Sequence, residues 1–231
     1  MDDDRTAQVS AVASLAEPTR RRLYDHVVRQ AGPVSRDEAA AATDVPRATV
    51  AFHLDKLVDE GLLDVVFERR TGRTGPGAGR PSKLYQRAEC DVSVSLPERR
   101  YDLAGGLLAA AMDEAQATGG SPRDALARQA FTRGRELGRA ARAADDGTGG
   151  REVALRVLEE QGFEPRPDGG AVTLANCPFH TLAREHTELV CGMNLQLLDG
   201  LLDGADAREL VACLQPSPGR CCVRLEPAGE G

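Results

Sequence analysis

Two short helical patterns separated by a tight turn constrain the first part of the chain more than any other feature. Ser35 followed by Glu38 is typical of a capping box and predicts a helix over residues 35–42. After a turn at residues 43–45, Pro46 opens a second helical pattern that ends at Gly61. The apolar positions of this second pattern are Val50, Leu54, Leu57 and Val58. Two short helices joined in this way form a helix-turn-helix motif.

Further regular structure is predicted on both sides of the helix pair. Apolar spacing predicts one helix over residues 6–15 and another over residues 18–30. Residues 62–68 and 82–87 are predicted to be partner strands, whereas the glycine-rich residues 72–81 between them cannot form regular structure. A β-hairpin with a long cationic tip after a helix-turn-helix predicts a winged helix.

Charge is distributed unevenly along the chain. The net charge of −7 argues against nucleic-acid binding, because phosphate neutralisation needs Lys and Arg. However, residues 1–90 carry 14 basic and 14 acidic side chains, whereas residues 91–231 carry 15 basic and 22 acidic ones. The hairpin region, residues 65–87, has six basic side chains and one acidic side chain. A basic element is therefore attached to a neutral or acidic body.

Polar and cationic side chains on the second helix and on the hairpin are the candidates for contact with bases and phosphates. On the helix they are Arg47, Thr49, His53 and Lys56, which we expect near its exposed face. On the hairpin they are Arg69, Arg70, Arg73, Arg80 and Lys83, which would clamp flanking phosphates or enter the minor groove. One small winged helix covers few base pairs, so we expect a homodimer on a double-stranded DNA operator.

The remainder of the chain predicts an α+β architecture. Helices are predicted over residues 98–117, 121–143, 152–161 and 186–202, and extended segments over 163–166, 171–175, 209–214 and 221–225. We therefore predict three parts: a winged helix-turn-helix domain at 8–90, central dimerisation helices within a helical linker at 97–144, and a small cysteine-bearing α+β sensor domain at 151–227. The first central helix is the expected dimer surface.

The composition and motifs exclude several classes of protein. The sequence contains no window of 18 consecutive apolar residues, and it begins with acidic residues, so we expect no membrane span and a cytoplasmic protein. Aromatic residues make up 3% of the chain, which excludes single-strand binding by rows of stacked aromatics. No Ser/His/Asp arrangement, phosphate-binding loop or pair of carboxylates indicates catalysis, so we do not expect an enzyme.

Five of the six cysteines fall between residues 177 and 222. They are Cys177, Cys191, Cys213, Cys221 and Cys222. Clustered thiolates from separated segments can converge on zinc or on an iron–sulfur cluster, so this region is a candidate metal site. No C-x2-C pair is present, which argues against a zinc ribbon. Cys221 and Cys222 are expected to open a strand, so only one of them should face a shared site.

The N-terminal region resembles a known family. Residues 15–23, Leu-Ala-Glu-Pro-Thr-Arg-Arg-Arg-Leu, resemble the opening of ArsR-type winged-helix repressors. Residues 79–85, Gly-Arg-Pro-Ser-Lys-Leu-Tyr, resemble the wing of the SufR-like branch of that family. The resemblance covers residues 8–90 and implies a dimeric transcriptional regulator on a partly palindromic operator. Metal sensors of the ArsR type often carry thiolates in this region, but no cysteine occurs before Cys90.

The C-terminal cysteines are similar to those of the SufR-like cluster-binding domain, with an Asn-Cys-Pro segment, a cysteine on the next helix and one near the C-terminus. The resemblance implies a [4Fe–4S] cluster held by Cys177, Cys191 and one of Cys221 or Cys222. The fourth ligand stays open between His180, His186, Cys213 and an exchangeable group. We therefore predict a repressor. Our hypothesis for its response is that loss or oxidation of the cluster changes the ordering of the cysteine-bearing segments and so the angle between the two DNA-reading helices.

Two alternatives stay open at this point. In the first, the C-terminal domain of a DNA-binding regulator holds structural zinc or a small ligand. In the second, the protein is a thiol redox enzyme that uses Cys221 and Cys222, although no Cys-x-x-Cys is present and a vicinal disulfide is strained. The colour and metal content of protein purified without oxygen distinguish a cluster from zinc.

Overall fold

The computed structural model describes residues 2–69, 81–145, 147–217 and 219–229, and the chain forms two compact units, Met1–Val94 and Ser95–Gly231. The helices of the first unit are α1 (Asp2–Ser14), α2 (Pro18–Val28), α3 (Arg36–Thr43) and α4 (Arg47–Asp59). Its strands are β1 (Val34–Ser35), β2 (Leu63–Glu68) and β3 (Ser82–Arg87), which form an antiparallel sheet in the order β1-β3-β2.

Side-chain caps define where α2 and α3 begin. Ser35 Oγ accepts a hydrogen bond from Glu38 N at 3.2 Å, and a Glu38 carboxylate oxygen accepts one from Ser35 N at 2.8 Å. This reciprocal pair is the predicted capping box, and it satisfies two backbone N–H groups that the helix cannot. Glu17 caps α2 by accepting hydrogen bonds from Thr19 N and Arg20 N.

The core of the first unit is apolar, and it contains side chains from helices α1 to α4 that pack against the sheet. Its largest fully buried side chains are Tyr85, Leu23, Leu54, Leu57, Leu63 and Leu84. Complete burial of a leucine side chain contributes roughly 1.5–3 kcal/mol to folding, so these contacts hold α4 in place from one side. The opposite side of α4 is left facing solvent.

Over its described residues, the second unit combines five helices with a four-stranded sheet. The helices are α5 (Tyr101–Thr118), α6 (Pro122–Ala143), α7 (Gly150–Glu160), α8 (His180–Glu185) and α9 (Thr187–Ala205). The strands are β4 (Pro165–Asp168), β5 (Ala171–Leu174), β6 (Leu210–Leu214) and β7 (Val223–Pro227), antiparallel in the order β4-β5-β7-β6. Helix α9 is the central element, because most of its residues are buried.

Helices α6 and α9 approach so closely that glycine is required at their contacts. A Cβ atom at Gly134 would lie 1.9 Å from Leu197 O, and one at Gly200 would lie 2.0 Å from Phe131 O. Neither distance is possible for a real side chain, so the two backbones touch at these positions. The close contact anchors α9, which carries Cys191, within the second unit.

The α+β class, the N-terminal helix-turn-helix and a C-terminal sheet are confirmed, while several details differ from the sequence predictions. Helices α5 and α6 belong to the second compact unit and do not form a separate linker region. One short element, β1, was not predicted, because its two residues are too few to show a period. Strand β7 begins at Val223, so Cys221 and Cys222 precede it. Across the described ranges, none of the helices has the length and apolar character needed to cross a membrane.

Candidate functional site

Helix α4 directs one side away from the core of the first unit. Its buried residues are Val50, His53, Leu54 and Leu57. Ala48, Phe52 and Asp55 lie on the opposite side of the helix and are exposed. Phe52 is 63% exposed, at the centre of this outward side. Sequence reasoning missed Phe52, although a large apolar residue outside the buried stripe is a usable signal for a contact surface.

Arg47 and Thr49 occupy the exposed first turn of α4. Arg47 Nε pairs with Asp37 Oδ1 at 2.6 Å, and the two side chains are 62% and 61% exposed. An ion pair this exposed contributes at most about 1 kcal/mol, so the guanidinium group can exchange the carboxylate for a phosphate. Thr49 is also exposed. These two predicted DNA contacts therefore lie where a groove-binding helix needs them.

His53 and Lys56 are held within the first unit. His53 is 8% exposed, and its Nδ1 lies 3.6 Å from Glu17 Oε2. The expectation that His53 lies near the exposed face was wrong, because its spacing from Val50 and Leu57 places it on the buried side. Lys56 Nζ pairs with Glu60 Oε1 at 2.5 Å and remains partly exposed.

The hairpin formed by β2 and β3 is joined to α4 through Lys83. Lys83 Nζ donates a hydrogen bond to Asp55 Oδ1 at 2.6 Å and lies 5.2 Å from the centre of the Tyr85 ring. Phe67, opposite Lys83 in the strand register, is 65% exposed. Arg69 is exposed. The predicted contacts Arg70, Arg73 and Arg80 lie outside the described residues.

Four cysteines of the second unit lie close enough to interact through their side chains. Cys177 interacts with Cys221, Cys221 with Cys222, and Cys222 with Cys191. These cysteines come from the loop after β5, the second turn of α9 and the loop before β7. Cys177, Cys191 and Cys221 are buried, and Cys222 is partly exposed. We refer to these four residues as the thiol chain.

Both members of the vicinal pair take part in the thiol chain. Cys221 N donates to Leu174 O at 2.9 Å, and Cys222 O accepts from Gln215 N at 2.8 Å. The pair therefore lies directly before β7, between Leu174 at the end of β5 and the residue that follows β6. Cys221 is buried and Cys222 is partly exposed, as expected for adjacent residues of an extended segment, and the expectation that only one of them faces a shared site stays a prediction.

The environment of Cys177, Cys191 and Cys221 disfavours loss of their thiol protons. The hydrogen bond to Cys221 and burial raise the pKa of Cys177 far above its usual range. The hydrogen bond from Cys177 lowers the pKa of Cys221, but the bond to Cys222 and burial outweigh it and raise that pKa to about 12. Burial also raises the pKa of Cys191, although its hydrogen bond to Cys222 opposes the shift. A positively charged partner is therefore needed to deprotonate these thiols.

Two asparagines and an arginine surround the thiol chain. Arg99 donates hydrogen bonds to Asn176 Oδ1 at 2.6 Å and to Cys177 O at 3.2 Å. Asn176 Nδ2 donates to Gly162 O at 2.6 Å and is 3.1 Å from Glu98 O. Asn194 Nδ2 donates to Cys221 Sγ at 3.2 Å. Sequence reasoning missed Arg99 and Asn194, because both are distant from Cys177 and Cys221 along the chain.

The remaining candidate ligands are placed outside the thiol chain. His180 and His186 are exposed at the two ends of α8. Cys213 lies in β6 opposite Arg224 and is partly exposed. Cys90, which belongs to the first unit, is exposed.

The donor set of the thiol chain fits a soft metal or an iron–sulfur cluster. Four free thiols are connected, and four cysteines are the usual ligands of a [4Fe–4S] cluster and of many structural zinc sites. Within the part of the chain that the structure describes, no three His, Cys, Asp or Glu side chains are already arranged to hold a metal ion. Binding at the thiol chain therefore requires its hydrogen bonds to be replaced by bonds to the metal.

The comparison with known protein families supports the assignment of the first unit. Residues 15–66 match the family model of a helix-turn-helix domain. This match spans α2 to the first half of β2 and so includes both helices of the predicted motif. No curated protein and no solved structure is detectably similar to the chain. The helix-turn-helix domain indicates a DNA-binding transcription regulator.

Proposed function

We propose that this chain is a transcriptional repressor of the ArsR type, from its SufR-like branch, which binds a double-stranded DNA operator. The observation that carries the DNA-binding part is the helix-turn-helix match over residues 15–66. The proposal is further supported by the exposed first turn of α4, which offers Arg47 and Thr49. The β2–β3 hairpin beside α4 supplies the second element of a winged helix.

DNA binding is tested with a duplex that the wild-type protein enriches from a randomised pool. The dissociation constant is measured by fluorescence anisotropy over a series of salt concentrations. We expect Arg47→Ala to weaken binding by about 5- to 100-fold, the loss of one charged contact. Arg208→Ala is the matched control, because Arg208 is an exposed arginine, 88% exposed, in the second unit. Failure to enrich any duplex would refute the proposal.

We also propose that the regulator acts as a homodimer. Two half-sites are needed for a small winged helix to reach useful operator affinity. Helix α5 supports this proposal, because it leaves Tyr101 39% and Met112 58% exposed. Sedimentation equilibrium tests it: the wild-type chain is expected at twice its 24.6 kDa mass, and Met112→Glu is expected to shift the equilibrium towards the monomer.

The sensing part of the proposal concerns the thiol chain. We propose that Cys177, Cys191, Cys221 and Cys222 hold a [4Fe–4S] cluster and that its presence changes the affinity for DNA. The supporting observation is the side-chain interaction among four cysteines that come from three separate segments of the chain. A bound cluster would supply sensitivity to oxidants and to iron supply. Arg99 would offset part of the negative charge of the ligand set, because it lies beside Cys177.

The cluster is tested on protein purified without oxygen. Iron, acid-labile sulfide and zinc are measured, together with the visible absorption spectrum. A brown protein with iron and sulfide in equal amounts supports the proposal. A colourless protein with one zinc would refute the cluster and retain a metal at the thiol chain. A protein with neither metal would leave only the DNA-binding part.

A further inference from the structure

Asn194 is a buried residue whose side-chain amide donates a hydrogen bond through its nitrogen but accepts none through its oxygen from the described residues. The residue lies in α9, one turn after Cys191, and is 1% exposed. Its Nδ2 donates to Cys221 Sγ at 3.2 Å. Its Oδ1 is buried and has no hydrogen-bond partner among the residues that the structure describes. An unsatisfied buried acceptor is costly, so the position is unfavourable for an amide in the metal-free protein.

The second buried asparagine of this region, Asn176, has the hydrogen bonds expected of a residue with a structural role. Asn176 is 7% exposed, and its Oδ1 accepts a hydrogen bond from Arg99 at 2.6 Å. Its Nδ2 donates to backbone carbonyl groups of Gly162 and Glu98. Both ends of the Asn176 amide are therefore satisfied by the protein itself. Asn194 differs, because its one partner is the sulfur of a proposed ligand.

We propose that Asn194 is a positioning residue for the thiol chain: its amide N–H group fixes the Cys221 sulfur as a ligand and stabilises the negative charge of that sulfur. This inference rests on the proposed metal-binding function. A hydrogen bond to a charged acceptor is roughly twice as strong as one between neutral groups. The Asn194 amide therefore favours the loaded state over the metal-free state. Hydrogen bonds to ligand sulfurs also raise the reduction potential of a cluster.

The proposal predicts opposite effects of one substitution on two states of the protein. Asn194→Leu removes the N–H donor and the unsatisfied oxygen while keeping a similar volume. In the metal-free full-length protein, we expect the melting temperature to stay unchanged or rise by a few degrees. In protein loaded without oxygen, we expect loss of iron to a chelator to become about 10- to 100-fold faster, as for other partners of metal ligands. The midpoint potential should become more negative.

Two matched substitutions separate positioning from a general effect on folding. Asn176→Leu is expected to lower the melting temperature of the metal-free protein, because it removes the hydrogen bonds that Asn176 forms with Arg99, Gly162 O and Glu98 O. Gln196→Leu introduces the same side chain two residues later in α9 and is expected to leave iron retention unchanged. Asn194→Ser, whose hydroxyl is too short to replace the amide, keeps the comparison informative if the leucine variant does not fold.

The possible results distinguish the role of Asn194 from the proposed metal-binding function. If wild-type protein is loaded and Asn194→Leu retains iron with the same rate and the same potential, the role of Asn194 is refuted and the proposed function stands. If Asn194→Leu lowers the melting temperature of the metal-free protein as much as Asn176→Leu does, Asn194 is structural. If wild-type protein binds zinc instead, the same comparison is made by the rate of zinc loss. Wild-type protein that binds neither metal refutes both proposals.

Discussion

The carboxylate of Asp55 in α4 accepts a hydrogen bond of 2.6 Å from Lys83 Nζ in β3. The same Asp55 oxygen accepts a second hydrogen bond, of 2.7 Å, from the Tyr85 hydroxyl group. The hairpin is thereby attached directly to the helix that carries Arg47. Partial burial raises the pKa of Asp55, but the hydrogen bonds from Lys83 and Tyr85 outweigh it and hold that pKa below its usual value.

This contact predicts a pH-dependent contribution to stability. Because the pKa of Asp55 is lower in the folded state, the stabilisation is fully present above the unfolded-state pKa of about 4 and is lost as the pH falls through the lower folded-state pKa. We expect Asp55→Ala to lower the free energy of unfolding by about 1 kcal/mol at pH 7. The difference from wild type should shrink below pH 4. Urea unfolding at a series of pH values measures it, and an equal difference at pH 7 and pH 2.5 would contradict the assignment.

Two glycine-to-alanine substitutions are expected to change stability in opposite directions, because one glycine lies in the close contact between α6 and α9 and the other lies in open space. Gly134→Ala is expected to lower the free energy of unfolding by about 1–3 kcal/mol or more, the cost of overpacking a core. The reason is that its Cβ atom would lie 1.9 Å from Leu197 O. Gly105→Ala in α5 meets no atom within 4 Å, so it should stabilise by about 0.5–1 kcal/mol through helix propensity. Thermal unfolding compares the two variants. Destabilisation by Gly105→Ala would show that α5 packs against another surface.

The two aromatic neighbours Phe52 and His53 are expected to affect different properties. Phe52 is 63% exposed on the outward side of α4, where an apolar side chain can contact the methyl group of thymine. Phe52→Ala should therefore weaken DNA binding by about 5- to 100-fold while leaving the melting temperature unchanged. His53→Ala should lower the melting temperature, because His53 is 8% exposed. Anisotropy titration and thermal unfolding of both variants check this division, and a reversed pattern would contradict it.

The thiol chain predicts which cysteines are needed to retain a metal. Cys222→Ser should reduce bound iron or zinc as strongly as Cys221→Ser, because both residues belong to the thiol chain. Cys213→Ser should retain wild-type metal content, since Cys213 lies in β6 outside that chain. Cys90→Ser in the first unit is the control. Metal analysis after oxygen-free purification measures each content, and full retention by Cys222→Ser would rule out its role as a ligand.

Local sequence signals were sufficient for most of the first unit. The capping box at Ser35 and the strand Ser82–Arg87 could be predicted because each depends on residues close together in the chain. His53 could not be placed correctly, because the helical period identifies an apolar stripe but does not show how far burial extends on either side of it. The edge was decided by packing of α4 against the core, which places His53 near Glu17.

The thiol chain was only partly predictable. Clustering of five cysteines indicated a shared site, and the resemblance to the SufR-like domain implied that Cys177, Cys191 and one of Cys221 or Cys222 belong to it. Neither signal indicated which cysteine lies next to which, because these contacts join segments that are far apart in the chain. Asn194 is 27 residues from Cys221, and its contact arises from the position of α9 beside the sheet.

In the proposed function, occupancy of the thiol chain by a metal or cluster sets the affinity of the protein for DNA. The most direct test measures the dissociation constant of the selected duplex for protein loaded without oxygen and for the same protein after removal of its metal. We expect the two constants to differ by about 5- to 150-fold, the usual range of coupling between two sites. In Cys222→Ser the two preparations should bind alike. Equal dissociation constants for loaded and metal-free wild-type protein would contradict the claim.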